Sequence, residues 1–240
     1  MKKYILAGVL AVFATQSLAQ SSHPAQYDPF FALPGKAGTM GIDVGLANSK
    51  ISKIADMSDV FAMGKYSLND KIELGARATL GFLAGDNADA FRSLVAGAKY
   101  GLSEKLALGA NLLVPVGEAD DPGLSIALMH TKAWGSIGCN HMLQVSLLDG
   151  FTGGVGTKLH LFIEPNKAFG DKAIGYLDIL VNTNTEDIAG DYLGIDLAPN
   201  VDYKLNDKMT LNAGVALGLA GDAKLADPGI GLTLIYLCAK

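Results

Sequence analysis

A few polar residues in this chain stand where only a small set of chemistries could use them. Glu73 and Arg77 interrupt a run, Ile72 to Phe82, that is otherwise apolar or small. Asp43, Lys65, Lys99, Lys158, Asp178, Asp196 and Asp202 recur in similar surroundings, each next to at least one apolar neighbour. Both signs are present, so two uses are open. Opposed charges could line a narrow aqueous passage and set its selectivity. The same charges could instead close an interior as an ion-pair network. Nucleophilic catalysis needs a Ser or Cys beside a base, and the base in turn needs an orienting group. His130 and His141 lie near Ser136 and Ser146 in the sequence, but no acidic partner accompanies them. His23, His130, His141 and His160 show no metal-ligand spacing. No catalytic set, metal site or cofactor is therefore expected.

What must position those charges is a repeated hairpin. Tyr66-Ser67-Leu68-Asn69-Asp70-Lys71 opens a stretch that returns as Tyr100-Gly101-Leu102-Ser103-Glu104-Lys105, and again as Tyr203-Lys204-Leu205-Asn206-Asp207-Lys208. Each copy reads as a strand ending in Tyr, a tight polar turn and a new strand. The first two copies begin 34 residues apart, and the third follows after about three such steps. Trp134-Gly135-Ser136 and Phe169-Gly170-Asp171-Lys172 are weaker copies at the intervening steps. The chain thus reverses on one side at a regular interval, as in an up-and-down barrel.

The strands alternate strictly. From Thr39, Met40, Ile42, Val44 and Leu46 share one face, while Gly41, Asp43, Gly45 and Ala47 share the other. Further strands are expected at 60–68, 71–84, 90–102, 105–116, 124–134, 137–148, 154–164, 172–183, 192–203, 208–219 and 229–237. That makes about twelve, an even number of near-spanning length. Glycine and charge cannot fill a dry core, so the apolar face should meet lipid and the other face a lumen. The expected fold is all-β: an antiparallel transmembrane β-barrel over residues 38–240.

The start of the chain indicates an address. Lys2 and Lys3 precede an apolar run, Tyr4 to Phe13, and Ser17-Leu18-Ala19 has the small-x-small form of a cleavage site. Residues 1–19 read as a signal peptide. Its removal takes the formal charge of the 240-residue chain from −5 to −7. That acidity argues against nucleic acid as a partner. Residues 20–37 are polar and Pro-containing, with Tyr27, Phe30 and Phe31 embedded; they lie in the periplasm or enter the barrel as a plug. Cys139 and Cys238 are expected as two buried or lipid-facing thiols, with a disulfide, which an oxidising compartment would allow, as the alternative.

An even strand number and an exported chain place both termini and the Tyr-marked turns in the periplasm. Tyr66, Tyr100, Trp134 and Tyr203 would then form an aromatic girdle at that interface. The opposite connections carry Asp86, Asp89, Glu118, Asp120, Asp121, Glu186, Asp187, Asp222 and Asp227. They read as a solvated acidic rim, with cation bridging to lipopolysaccharide phosphates as the alternative.

The Tyr-x-Leu-x-[Asp/Glu]-Lys-x-x-Leu repeats, with Leu112-Leu113-Val114-Pro115-Val116-Gly117 and Asp121-Pro122-Gly123-Leu124, resemble the transporter-like outer-membrane barrels of the meta-pathway of phenol degradation group. The resemblance implies passage of small molecules, apolar ones included, across the outer membrane. The chain departs from the common barrel ending: Tyr236 stands near the C-terminus rather than at it. Expected partners are outer-membrane lipid and lipopolysaccharide, a small-molecule solute and the barrel-assembly machinery. A structural barrel with a closed lumen and a barrel-borne lipid hydrolase are the competing functions.

Overall fold

The repeated turns owe their shape to one side chain each. Asn69 Oδ1 accepts hydrogen bonds from the N–H groups of Lys71 and Ile72 at 2.8 and 2.9 Å. Asn206 does the same for Lys208 and Met209 at 2.9 and 3.0 Å. In the second copy Ser103 Oγ accepts from Lys105 N–H at 3.2 Å. A side-chain acceptor bonded to the backbone two or three residues on stabilises a tight reversal. The two weaker copies solve the same problem differently: Gly135 and Gly170 adopt φ of 61° and 71°, a region that suits glycine.

The computed structural model describes residues 34–50, 59–81, 91, 93–116, 121–148, 157–185, 193–220 and 229–238. They form twelve strands: β1 Met40–Lys50, β2 Asp59–Ser67, β3 Ile72–Gly81, β4 Ser93–Ser103, β5 Leu106–Val114 and β6 Gly123–Trp134. β7 Ile137–Ser146, β8 Lys158–Phe169, β9 Ala173–Asn184, β10 Gly194–Lys204, β11 Met209–Ala220 and β12 Gly229–Cys238 complete the set. Each strand pairs antiparallel with its sequence neighbours, and β1 pairs with β12, so the sheet closes into a barrel. Closure removes the sheet edges that would otherwise be left unpaired.

The tight turns share one end of the barrel, the turn end. The acidic connections expected at the opposite, loop end fall outside the described residues, except Asp121, which is exposed. The expected signal peptide and residues 20–33 are also outside them.

One strand departs from expectation by more than three residues at an end. β8 was expected over 154–164; it runs from Lys158 to Phe169 and passes through Pro165. Proline cannot donate to a ladder, which argued for a break there. Instead the register with β9 is the same on both sides, Ile163 opposite Ile179 and Asn166 opposite Tyr176. The barrel's cross-strand packing carries the strand over the missing donor.

The outer face is apolar and exposed. Met40, Leu74, Leu108, Leu128, Leu143, Leu161 and Leu232 are all more than 40% exposed. An exposed apolar surface of this extent marks contact with an apolar medium. Tyr66, Tyr100, Trp134 and Tyr203 sit on this outer face at the turn end, each between 43% and 51% exposed. Phe169 and Tyr236 join them, also exposed. Lys132 and Lys167 lie over the rings of Trp134 and Phe169, a position where a long stem covers apolar surface and the ammonium reaches water.

Candidate functional site: the barrel interior

Alternation places every charged candidate inward. Asp43, Lys65, Glu73, Arg77, Lys99, Asp178 and Asp202 are buried within the wall, and Lys158 and Asp196 are half-buried on the same face. They are not spread evenly. On β1–β4, Lys65 Nζ lies 3.3 Å from Asp43 Oδ2, and Lys99 Nζ lies 3.0 Å from Glu73 Oε1. Arg77 stands over the ring of Phe61, its guanidinium carbon 4.1 Å from the centroid, a favourable cation–π distance. Gly45 makes room for that ring: a Cβ there would come within 2.9 Å of Phe61 Cε1.

The opposite wall is acidic and amide-rich. Asn140 donates to Glu164 Oε1 at 2.6 Å and its Oδ1 accepts from Thr131 Oγ1 at 2.9 Å. Asn212 donates to Asp202 Oδ1 at 2.7 Å and to Asn200 Oδ1 at 3.1 Å. Asp178, Glu164 and Asp202 surround Tyr176. Of the inward charges named, the basic Lys65, Arg77 and Lys99 lie on β2–β4 beside Asp43 and Glu73, and the acidic Glu164, Asp178, Asp196 and Asp202 lie on β8–β10 with Lys158. Lys158 and Asp196 stand towards the loop end, in register with Ser146 and Leu180 respectively.

The inner face is not uniformly wet, which corrects the expectation of a purely polar and small-residue lumen. Two apolar clusters face inward: Ala107, Ala127, Met129, Met142, Phe162 and Leu180, and Phe61, Met63, Val95 and Leu113. Strand parity carried this signal. Met142 and Phe162 share a face with Gln144 and His160, so an inward polar residue implies inward apolar neighbours two positions away. Tyr176, Asn140 and Asn200 were missed for the same reason.

A polar ladder crosses β5–β9. Asn111 donates to Ser125 Oγ at 3.3 Å, Gln144 to Ser146 Oγ at 3.4 Å. Ser146 Oγ lies 3.4 Å from His160 Nε2, and His160 Nδ1 lies 2.6 Å from Asn182 Oδ1. The last three resemble a nucleophile, a base and its orienting amide. Ser146 has no exposed surface, however, so no substrate carbonyl can reach it. Ser146 also faces inward while His130 and His141 face outward, so the competing hydrolase reading finds no Ser146–His130/His141 pairing here. On the outer face His130 Nδ1 and His141 Nδ1 are 3.5 Å apart, and Trp134 packs edge-on against His141. Cys139, buried, and Cys238 are both free thiols. Among the described residues no group of three or more His, Cys, Asp or Glu is placed to hold a metal ion.

No family model matches the chain, and no curated relative does. Solved structures do. The KdgM porin matches with a TM-score of 0.59 and 8% identity, over 82% of this chain and 98% of that one. The COG4313 outer membrane channel from Pseudomonas putida F1 matches with a TM-score of 0.60 and 13% identity, over 88% and 100%. The NanC porin matches with a TM-score of 0.54 and 6% identity, over 83% and 100%. At such identities the likeness is one of fold: this chain has the closed barrel architecture of these porins and channels.

Proposed function

We propose that this chain is a bacterial outer-membrane channel through which small solutes, apolar molecules among them, diffuse passively along a narrow charged lumen. The observation that carries the proposal is the closed twelve-strand wall, apolar outside, with charged side chains of both signs layered inside. Ionisable groups at membrane depth face a water path or one another, and about twelve strands enclose more space than their own side chains fill. The likeness to porins supports the same reading. Asp43, Lys65, Glu73, Arg77, Lys99, Lys158, Asp178, Asp196 and Asp202 are the proposed constriction residues. The turn end then faces the periplasm, with Tyr66, Tyr100, Trp134 and Tyr203 at the lipid interface. Residues 1–19 serve as the export signal, the outer leaflet brings lipopolysaccharide against the wall, and the barrel-assembly machinery inserts the chain. The assignment to the meta-pathway transporter group rests on the repeat motif and is part of this proposal.

A closed structural barrel is the second reading, favoured by the near-zero exposure of inward residues such as Gln144, Glu164 and Asn212. Swelling of proteoliposomes in isosmotic solutes decides between them. The channel reading expects swelling faster than protein-free vesicles for small neutral solutes. Vesicles that never swell with any solute of the panel would end it.

A further inference from the structure

We infer that the outer face of β6–β8 at the turn end holds the headgroup of an anionic phospholipid, its phosphate drawn between Lys132 and Lys167. The inference rests on the outer face meeting lipid, as proposed above, and not on the barrel passing solute.

The distribution of charge carries it. Among the described residues, the basic side chains that point outward from a strand are His130, Lys132, His141 and Lys167, all on β6–β8. The described strand carboxylates all point inward. Register sets the four basic groups side by side. Lys132 is opposite Cys139 and Cys139 opposite Pro165; Trp134 is opposite Ile137 and Ile137 opposite Lys167. His130 is opposite His141 one step further from the turn end. Lys132 and Lys167 therefore flank β7, their Cα atoms about 12 Å apart from strand spacing and rise. Two flexible four-carbon stems can close that gap onto one phosphate.

Their depth fits a headgroup. Each lysine stands two residues before an aromatic at the turn end, and its ammonium returns to the level of that ring. Lys132 Nζ lies 5.1 Å from the Trp134 centroid and Lys167 Nζ 6.0 Å from that of Phe169. Rings at this level mark the headgroup interface. Trp134 also packs edge-on against His141, ring centroids 6.1 Å apart, so a second contact fixes the ring beside Lys132. Covering an aromatic with a lysine stem is not a general need of this wall: Gly64, Ala98 and Val201 hold the same place before Tyr66, Tyr100 and Tyr203. Neither ammonium is paired with a carboxylate among the described residues. Asp171 is exposed in the turn after β8, next to Lys172. Two ammonium groups in an otherwise apolar face attract an anion, and each basic group at a membrane surface favours anionic lipid by roughly fivefold. A zwitterionic lipid brings its own cation and gains less.

The test uses the mature chain from Gln20 in phosphatidylcholine bilayers. These are doped with a minor fraction of phosphatidylglycerol or phosphatidylcholine, either one brominated near the ester end of its acyl chains. Trp134, the sole tryptophan, is the reporter. Brominated phosphatidylglycerol is expected to reach Trp134 at least about fivefold more readily than brominated phosphatidylcholine. Lys132→Gln with Lys167→Gln should bring the two lipids level. The two lipids should also be level at a reporter moved to β2 by Trp134→Phe with Tyr66→Trp. Equal quenching by both lipids in the unaltered chain overturns the inference and leaves the membrane barrel standing. So does a preference that survives the double substitution, or one that is as strong at Tyr66→Trp. Quenching by both lipids at Tyr66→Trp and by neither at Trp134 gives the patch to a protein surface, a second copy of this chain included, and overturns the inference as well. If neither reporter is quenched, the wall does not meet lipid, and the membrane reading fails together with the inference.

Discussion

Phe162→Ala tests whether the inner belt is packed or merely lines water. Phe162 is 1% exposed and sits between Met142 and Leu180 in the ladder, within a cluster that includes Met129. Removing a buried ring of this kind costs the transfer of its apolar surface plus the cavity left behind. That is about 3–5 kcal/mol where neighbours cannot collapse. A β-barrel wall collapses poorly, because every flanking strand is held by two ladders. The expected loss is therefore in the upper part of that range. The assay is urea unfolding of the protein in lipid vesicles, read by the fluorescence of Trp134, the sole tryptophan. Trp134 lies outside the belt, so its signal reports unfolding rather than the substitution. Under an open aqueous lumen the ring would already touch water, and its loss would cost under about 1 kcal/mol. A shift that small would refute the packed belt.

Three other expectations follow from the same geometry. Lys99→Met strips the buried Glu73 carboxylate of its 3.0 Å partner and should destabilise by about 3–5 kcal/mol in the same unfolding assay; Lys99→Met with Glu73→Gln should recover much of it. Asn69→Ala removes the acceptor of two turn hydrogen bonds and should cost about 1–2 kcal/mol; the same change at Asn206 should cost as much, and a cost at one but not the other would break their equivalence. Arg77→Ala in the mature chain should shift ion preference towards cations in reversal-potential measurements; an unchanged reversal potential removes Arg77 from the constriction.

Much of this wall was legible because two periodicities coincide. Side chains alternate with a period of two, so Glu73 and Leu74 had to face opposite sides. The Tyr-turn unit recurs at a near-constant step, so Tyr66, Tyr100 and Tyr203 had to share one end. Phe169 was within reach of the same logic, since Phe169-Gly170 holds the place of Tyr in a recognised weak copy. What escaped came from tertiary context. Pro165 looks like a strand terminator locally, and only the pairing with β7 and β9 shows why the strand continues. The inward placement of Met129, Met142 and Phe162 follows from parity, but hydrophobicity alone assigns them to lipid. The polar N-terminal segment carries no periodicity at all. The burial of Pro34 and Gly35 became visible only through their contacts with Gly101 and Glu73.

The channel reading depends on which side of the wall meets hydrocarbon. Leu128 and Met129 are adjacent, the first 43% exposed on the outer face, the second fully enclosed on the inner one. With Trp134→Phe as background, Leu128→Trp and Met129→Trp place a single fluorophore on either side of the wall. Lipids brominated along their acyl chains quench a ring only on contact. The account predicts strong quenching for Leu128→Trp and little for Met129→Trp. Quenching of the second and not the first would contradict it.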